Sequence, residues 1–297
     1  MKKLFKKIKL LRRLYQYYLD IFVYGPNYFR KNLVVDRSDE TKNKLLELND
    51  KGFLQVNSQF SKDYIDKLKD KIDKEIQGCA ANHGQAVYSE LQKYYTFTNP
   101  FLLDDALLYY ATHPDLYSLL ERYFNNKVYL ADVDLRVIPP TEIKDVEANV
   151  KEKHGLSHYS SSHWHYDIRG KQVKVMVYLS DVSRIDSKFM CVLGTHKSGE
   201  KSLDYEKSRF EDAEVDAMGK EKVECLGEVG SAYLFDTNII HRLNRSNKGN
   251  VRYSITFYYT TGRHLRELYV TKSSFENLCA ISKKMLDGHS MPRINFK

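Results

Sequence analysis

The chain is short of the residues that staple or punctuate small folds. Its four cysteines, Cys79, Cys191, Cys225 and Cys279, stand far apart with no CxxC pair. That argues against a disulfide framework and sets a reducing, cytosolic compartment as the expectation. Proline is scarce, at 6 in 297 residues, and no repeat or low-complexity tract occurs, so collagen-like and disordered classes fall away. No apolar run is long enough to span a bilayer. A charge surplus is also missing from most of the chain. The net charge of +8 belongs to residues 1–34, with nine Lys and Arg and one acid, leaving 38 basic and 38 acidic side chains after it. A balanced main domain gives no support to a nucleic-acid groove.

What is present begins with that basic segment. Leu4, Ile8, Leu11, Tyr15, Tyr18 and Phe22 follow helical spacing, basic residues fill the opposite face, and Gly25-Pro26 ends the pattern. No cleavage-site pattern follows, so it is not expected to be a signal peptide. The residues leave two readings open. The helix packs on the domain with a solvated basic face, or residues 1–30 make peripheral membrane contact. We therefore divide the chain into a basic amphipathic extension, 1–34, and one domain, 35–297.

Residues 40–76 predict a helix to about Leu48, a break at Gly52, a short strand "FLQV", and a helix capped by Ser61 with Tyr64, Ile65, Leu68 and Ile72 facing inward. Residues 101–124 read as helical with a break at Pro114. From residue 127 alternation and β-branched content take over in "KVYLADVDLRVI", "QVKVMVYLSDV", "SKFMCVLG", "GSAYLFDT" and "NVRYSITFYYTT". The expected class is mainly β with flanking helices, its core an antiparallel sandwich or barrel. Residues 141–162 read as a long polar loop, and 197–222 as a charged excursion over the barrel mouth.

The chemistry centres on "SSHWHYD", residues 161–167. In a strand the first and third residues of an HxD share a face, so His165 and Asp167 can reach one metal ion. His241, from a distant strand, would complete the two-His, one-carboxylate face of non-haem iron oxygenases. A second HxD, His113-Pro114-Asp115, sits between helical patterns and reads as a helix start. Eleven residues past His241 comes Arg252, with Ser254 on the same strand face, a cation and hydroxyl fit for a carboxylate. His163 reads as an exposed loop histidine, with support of the site or contact with substrate as the alternative, His154 and His158 as loop residues, His196 as a turn residue, and Trp164 as packing.

The order "WHYD", "VMVYLSDV", "LGTHK", "GSAYLFDTNIIHRLNRSN", "VRYSITFYY", preceded by "NDKGFLQVNSQFSKDYIDKLKDKI", resembles the phytanoyl-CoA dioxygenase family over about residues 45–262. The resemblance implies a double-stranded β-helix (jelly-roll, cupin-like) fold. It implies Fe(II) held by His165, Asp167 and His241, 2-oxoglutarate held through Arg252 with Ser254 assisting and Arg136 as a further contact, and O2 as oxidant. Asp167 stands where halogenating relatives carry a small residue, so hydroxylation or a related C–H oxidation of a small-molecule or lipid-linked substrate is implied. The sequence departs from the family at "IDSKFMCVLGTHK", which lacks the usual Asn-Gly turn. Two rivals stand beside this reading: a cupin-like metal isomerase or hydrolase using the same ligands, and a non-catalytic relative working through residues 1–34. Substrate identity and oligomeric state are not written in the sequence.

Overall fold

The computed structural model describes residues 40–79, 85–97, 99–154, 161–167, 172–197, 208–261, 268–287 and 294–296. The expected basic helix of residues 1–34 lies outside them, as does His158. The chain opens with α1 (Glu40–Lys51), β1 (Phe53–Asn57) and α2 (Lys62–Cys79). Leu48 and Ile65, Leu68 and Ile72 are buried as their spacing predicts. Ser61 caps α2 by accepting from Tyr64 N at 3.2 Å. A hairpin that the sequence pattern did not suggest follows, β2 (Ala86–Ser89) and β3 (Tyr94–Phe97), then α3 (Pro100–Leu103), α4 (Ala106–Ala111) and α5 (Pro114–Phe124). His113 caps α5 by accepting from Asp115 N, so the second HxD is a helix start.

The remaining elements are β4 (Tyr129–Ile138), α6 (Ile143–His154), β5 (Trp164–His165), β6 (Gln172–Tyr178), β7 (Lys188–Val192), β8 (Arg209–Phe210), α7 (Asp212–Ala217), β9 (Lys222–Cys225), β10 (Ser231–Asp236), β11 (Ile240–Asn244), β12 (Arg252–Thr260), β13 (Leu268–Val270), α8 (Lys272–Glu276), α9 (Ala280–Lys284) and β14 (Ile294–Phe296). One sheet runs β1-β10-β6-β12-β4-β3-β2 and the other β8-β5-β11-β7-β9. Facing each other, with antiparallel pairing throughout both, they form the double-stranded β-helix. Two expectations change. The polar stretch 141–162 contains α6. The described part of 197–222 supplies β8 and β9 to opposite edges of the smaller sheet, because its short Arg-Phe and Lys-Val-Glu-Cys segments find unpaired strand edges.

At β6 the larger sheet is covered on both faces, which explains the nearly continuous apolar run of that strand. Val173, Val175 and Val177 join Leu135, Ile255 and Phe257 against the helices. The alternate residues Lys174, Met176 and Tyr178 point between the sheets, where Met176 and Tyr178 pack with Phe189, Cys191, Tyr233 and Phe235. The same alternation on β12 sends Ile255, Phe257 and Tyr259 to the helical core and leaves Arg252, Ser254, Thr256 and Tyr258 on the inner face. Polar and charged residues on that inner face are the unusual feature, and they mark the site. Among the described residues no helix is long and apolar enough to cross a membrane.

Candidate metal centre

His165 and His241 are directly opposed on neighbouring antiparallel strands, with ring centroids 4.4 Å apart. Asp167 Oδ1 stands 3.8 Å from His165 Nε2. One donor atom from each of the three falls within 4.8 Å of the others. Each imidazole is oriented by its own backbone. His165 Nδ1 lies 2.7 Å from the carbonyl of His163, and His241 Nδ1 lies 2.8 Å from that of Ile239. A carbonyl only accepts, so both Nδ1 atoms carry the proton and both Nε2 atoms keep a lone pair for a metal. The turn after β7 steadies this arrangement: Thr195 Oγ1 accepts from Ile240 N at 2.8 Å, immediately before His241.

Burial holds both histidines neutral. It pushes His241 down to about 4 and His165 further below the ordinary imidazole range, with the neighbouring His241 and Arg209 charges adding to the effect on His165. Burial would raise the Asp167 carboxyl, but the charge and hydrogen bond of the Lys174 ammonium oppose it and the group is held well below its usual range. A prediction follows for the metal-free protein. Between the ordinary imidazole value of about 6.5 and about 4, the unfolded chain takes up a proton at His241 that the native state refuses. Stability therefore rises with pH through that window and is lost as pH falls through it, on the order of 3 kcal/mol by pH 4. Urea unfolding across that range should show the slope, and His241→Gln should remove the share of His241 and leave that of His165. An equal slope in the variant would contradict the assignment.

The triad opens on a cavity of about 240 Å³ between the sheets. At its other side Arg252 is 4% exposed, with its guanidinium 5.0 Å over the Tyr178 ring. Nη2 contacts Met176 Sδ at 3.2 Å and Ser254 Oγ at 3.4 Å, while Nε and Nη1 are buried without a hydrogen-bond partner. Buried donors without acceptors are costly, so this pair calls for an incoming anion. Ser254 pairs in register with Arg136, which also lines the cavity. Arg136 is partly occupied: its Nη2 is ion-paired with Asp134, its guanidinium lies 5.0 Å over Tyr94, and its Nε has no partner.

All six sequence-predicted site residues thus line one cavity. His163 differs from its reading as an exposed loop histidine: its side chain is 13% exposed, with Nε2 3.1 Å from Glu147 Oε1 on α6. Trp164 packs as predicted, donating to Asp212 at 2.7 Å under the Arg242 guanidinium. His196 is a turn residue, its Nε2 3.1 Å from the Asn49 carbonyl. The missing Asn-Gly turn is replaced by Asp186, which accepts from Ser183 N and Asn250 N. Sequence reasoning overlooked Lys174, whose Nζ sits 2.7 Å from Asp167 Oδ2. The available signal was a lone lysine at an inward position of an apolar strand.

Comparison with known proteins agrees with this architecture. Residues 48–250 match the sequence profile of the phytanoyl-CoA dioxygenase (PhyH) family. The chain belongs to that family. No curated protein is similar enough in sequence to count as a relative. Among solved structures, EctD from S. alaskensis with bound Fe is similar at 15% identity and a TM-score of 0.57, over 79% of this chain and 82% of that one. EctD with 2-oxoglutarate and 5-hydroxyectoine is similar at 16% and 0.54, over 77% and 79%. The non-heme alpha ketoglutarate dependent carbocyclase SnoK from nogalamycin biosynthesis is similar at 12% and 0.54, over 75% and 84%. At these identities the likeness establishes the fold.

Proposed function

We propose that this protein is an Fe(II)- and 2-oxoglutarate-dependent dioxygenase that hydroxylates, or otherwise oxidises at a C–H bond, a small-molecule or lipid-linked substrate. His165, Asp167 and His241 would hold the metal, and Arg252, with Ser254 and Arg136, would hold the cosubstrate. The observation that carries the reading is the placement of two partnerless donor nitrogens of Arg252 in the cavity that the triad also lines. The metal chemistry of a cupin-like isomerase or hydrolase requires no such cation, whereas a dicarboxylic cosubstrate does. Family membership and the solved relatives with Fe and 2-oxoglutarate support the same choice.

When bound, Fe(II) with 2-oxoglutarate and O2 supplies an oxidant strong enough for an unactivated C–H bond. The chain's own part is positioning. Two imidazoles, locked by the carbonyls of His163 and Ile239, present lone pairs at Nε2. Arg252 offers an incoming carboxylate the partnerless donors at Nε and Nη1. Phe189, Phe235 and Met176 wall the cavity and keep water from the reacting centre.

The reading is tested without oxygen. Protein loaded with Fe(II) and then 2-oxoglutarate should develop the weak visible charge-transfer band of the chelate, absent from His165→Ala and Arg252→Ala. Metal binding without the band in the wild type would move the assignment to the cupin-like class.

A further inference from the structure

One charged group facing the cavity has no task in the reading above. Lys174 lies on β6 between Val173 and Val175, which face the helical core, and only 13% of its side chain is exposed. An ammonium in such surroundings needs a partner. Its Nζ lies 2.7 Å from Asp167 Oδ2, and 4.8 Å and 6.0 Å from the ring centroids of Tyr258 and Phe235. Those two rings come from the strands on either side of β6, each in register with Lys174, so the side chain is held from both flanks. The other carboxylate oxygen, Oδ1, is the one that faces His165 Nε2, at 3.8 Å. The two oxygens of Asp167 are therefore divided, one turned to the His165 imidazole and one taken by the ammonium.

A carboxylate can bind a cation through one oxygen or through both. Binding through both would use up a coordination position that the cosubstrate or O2 needs. We propose that Lys174 is a positioning residue that confines Asp167 to one-oxygen ligation and so keeps that position open. This rests on the metal assignment of the preceding subsection. The same ammonium repels a dication nearby, so Lys174 lowers metal affinity while preserving an open site. Removing it should thus tighten metal binding and close a position. A residue with only a packing role would not give that pair of effects.

Mn(II), which reports its own coordination by electron paramagnetic resonance, is the probe, added to full-length wild type, Lys174→Met and Lys174→Arg. Lys174→Met is expected to bind Mn(II) about tenfold more tightly. It should also lose one metal-bound water, counted from line broadening in water enriched in the magnetic oxygen isotope. Lys174→Arg, which keeps the charge and the donors, should show the wild-type water number. A Met variant with the wild-type water number, or with weaker Mn(II) binding, overturns the proposal. So does an Arg variant that loses the water, a result that stands even if the Met variant does not fold. Wild type that binds no Mn(II), like a His165→Ala control, overturns the metal assignment itself and the role of Lys174 with it.

Discussion

Arg252→Ala is expected to weaken 2-oxoglutarate binding by about thirtyfold or more, because losing one partner of a buried, hydrogen-bonded charge pair costs at least about 2 kcal/mol. Metal affinity should stay within about twofold, since the triad shares no hydrogen bond with Arg252. The effect is large because the guanidinium is already dehydrated: burial lowers its pKa from the ordinary value, and Nε and Nη1 wait without acceptors. A 2-oxo acid lacking the distal carboxylate separates recognition from collapse of the site. It should bind wild type and variant equally in calorimetric titrations of the metal-loaded protein. Unequal binding of the short acid would mean that Arg252 supports the cavity wall instead of reading a carboxylate.

Gly52→Ala is expected to cost about 2–4 kcal/mol of stability, from left-handed backbone strain and overpacking together. Gly52 ends α1 with φ +70, its N–H donating to Leu48 and its carbonyl accepting from Asp236 N. A Cβ there would fall 2.4 Å from Nδ1 of the His196 imidazole. That histidine belongs to the turn whose Thr195 accepts from Ile240 N. Chemical denaturation of Gly52→Ala, His196→Ala and the double variant should show strong non-additivity, with the double variant recovering the overpacking part. Additive losses would place the strain in the backbone alone.

The interlock joins "NDKGF", residues 49–53, to "LGTHK", residues 193–197. Gly194 N donates to the Lys51 carbonyl, and His196 covers Gly52. Each motif reads as a turn in isolation, and no local signal says that they touch. The triad was legible for a different reason. The period-two alternation of strands fixes which residues share a face, so Arg252 and Ser254 on β12 could be paired from spacing alone, whereas β5 ends at His165 and Asp167 meets it from just beyond the strand, not from within it as the spacing predicted. Lys174 obeys the same alternation, yet a lone lysine in "VKVMVY" carries no partner in its own sequence. The β2–β3 hairpin and helix α6 escaped because short elements take their stability from the surfaces they pack on, a contribution that local propensity does not record.

By itself, then, the sequence determined the inward and outward faces of the strands, the capped helices, and the ligand types available for a metal and a carboxylate. Only the tertiary structure decided that β5 and β11 lie side by side with His165 opposite His241. Only it gave one oxygen of Asp167 to Lys174 and left Arg252 with two empty donors. The physical reason is that periodicity acts along one strand, whereas strand order and the burial of charge depend on which distant segments share an interior.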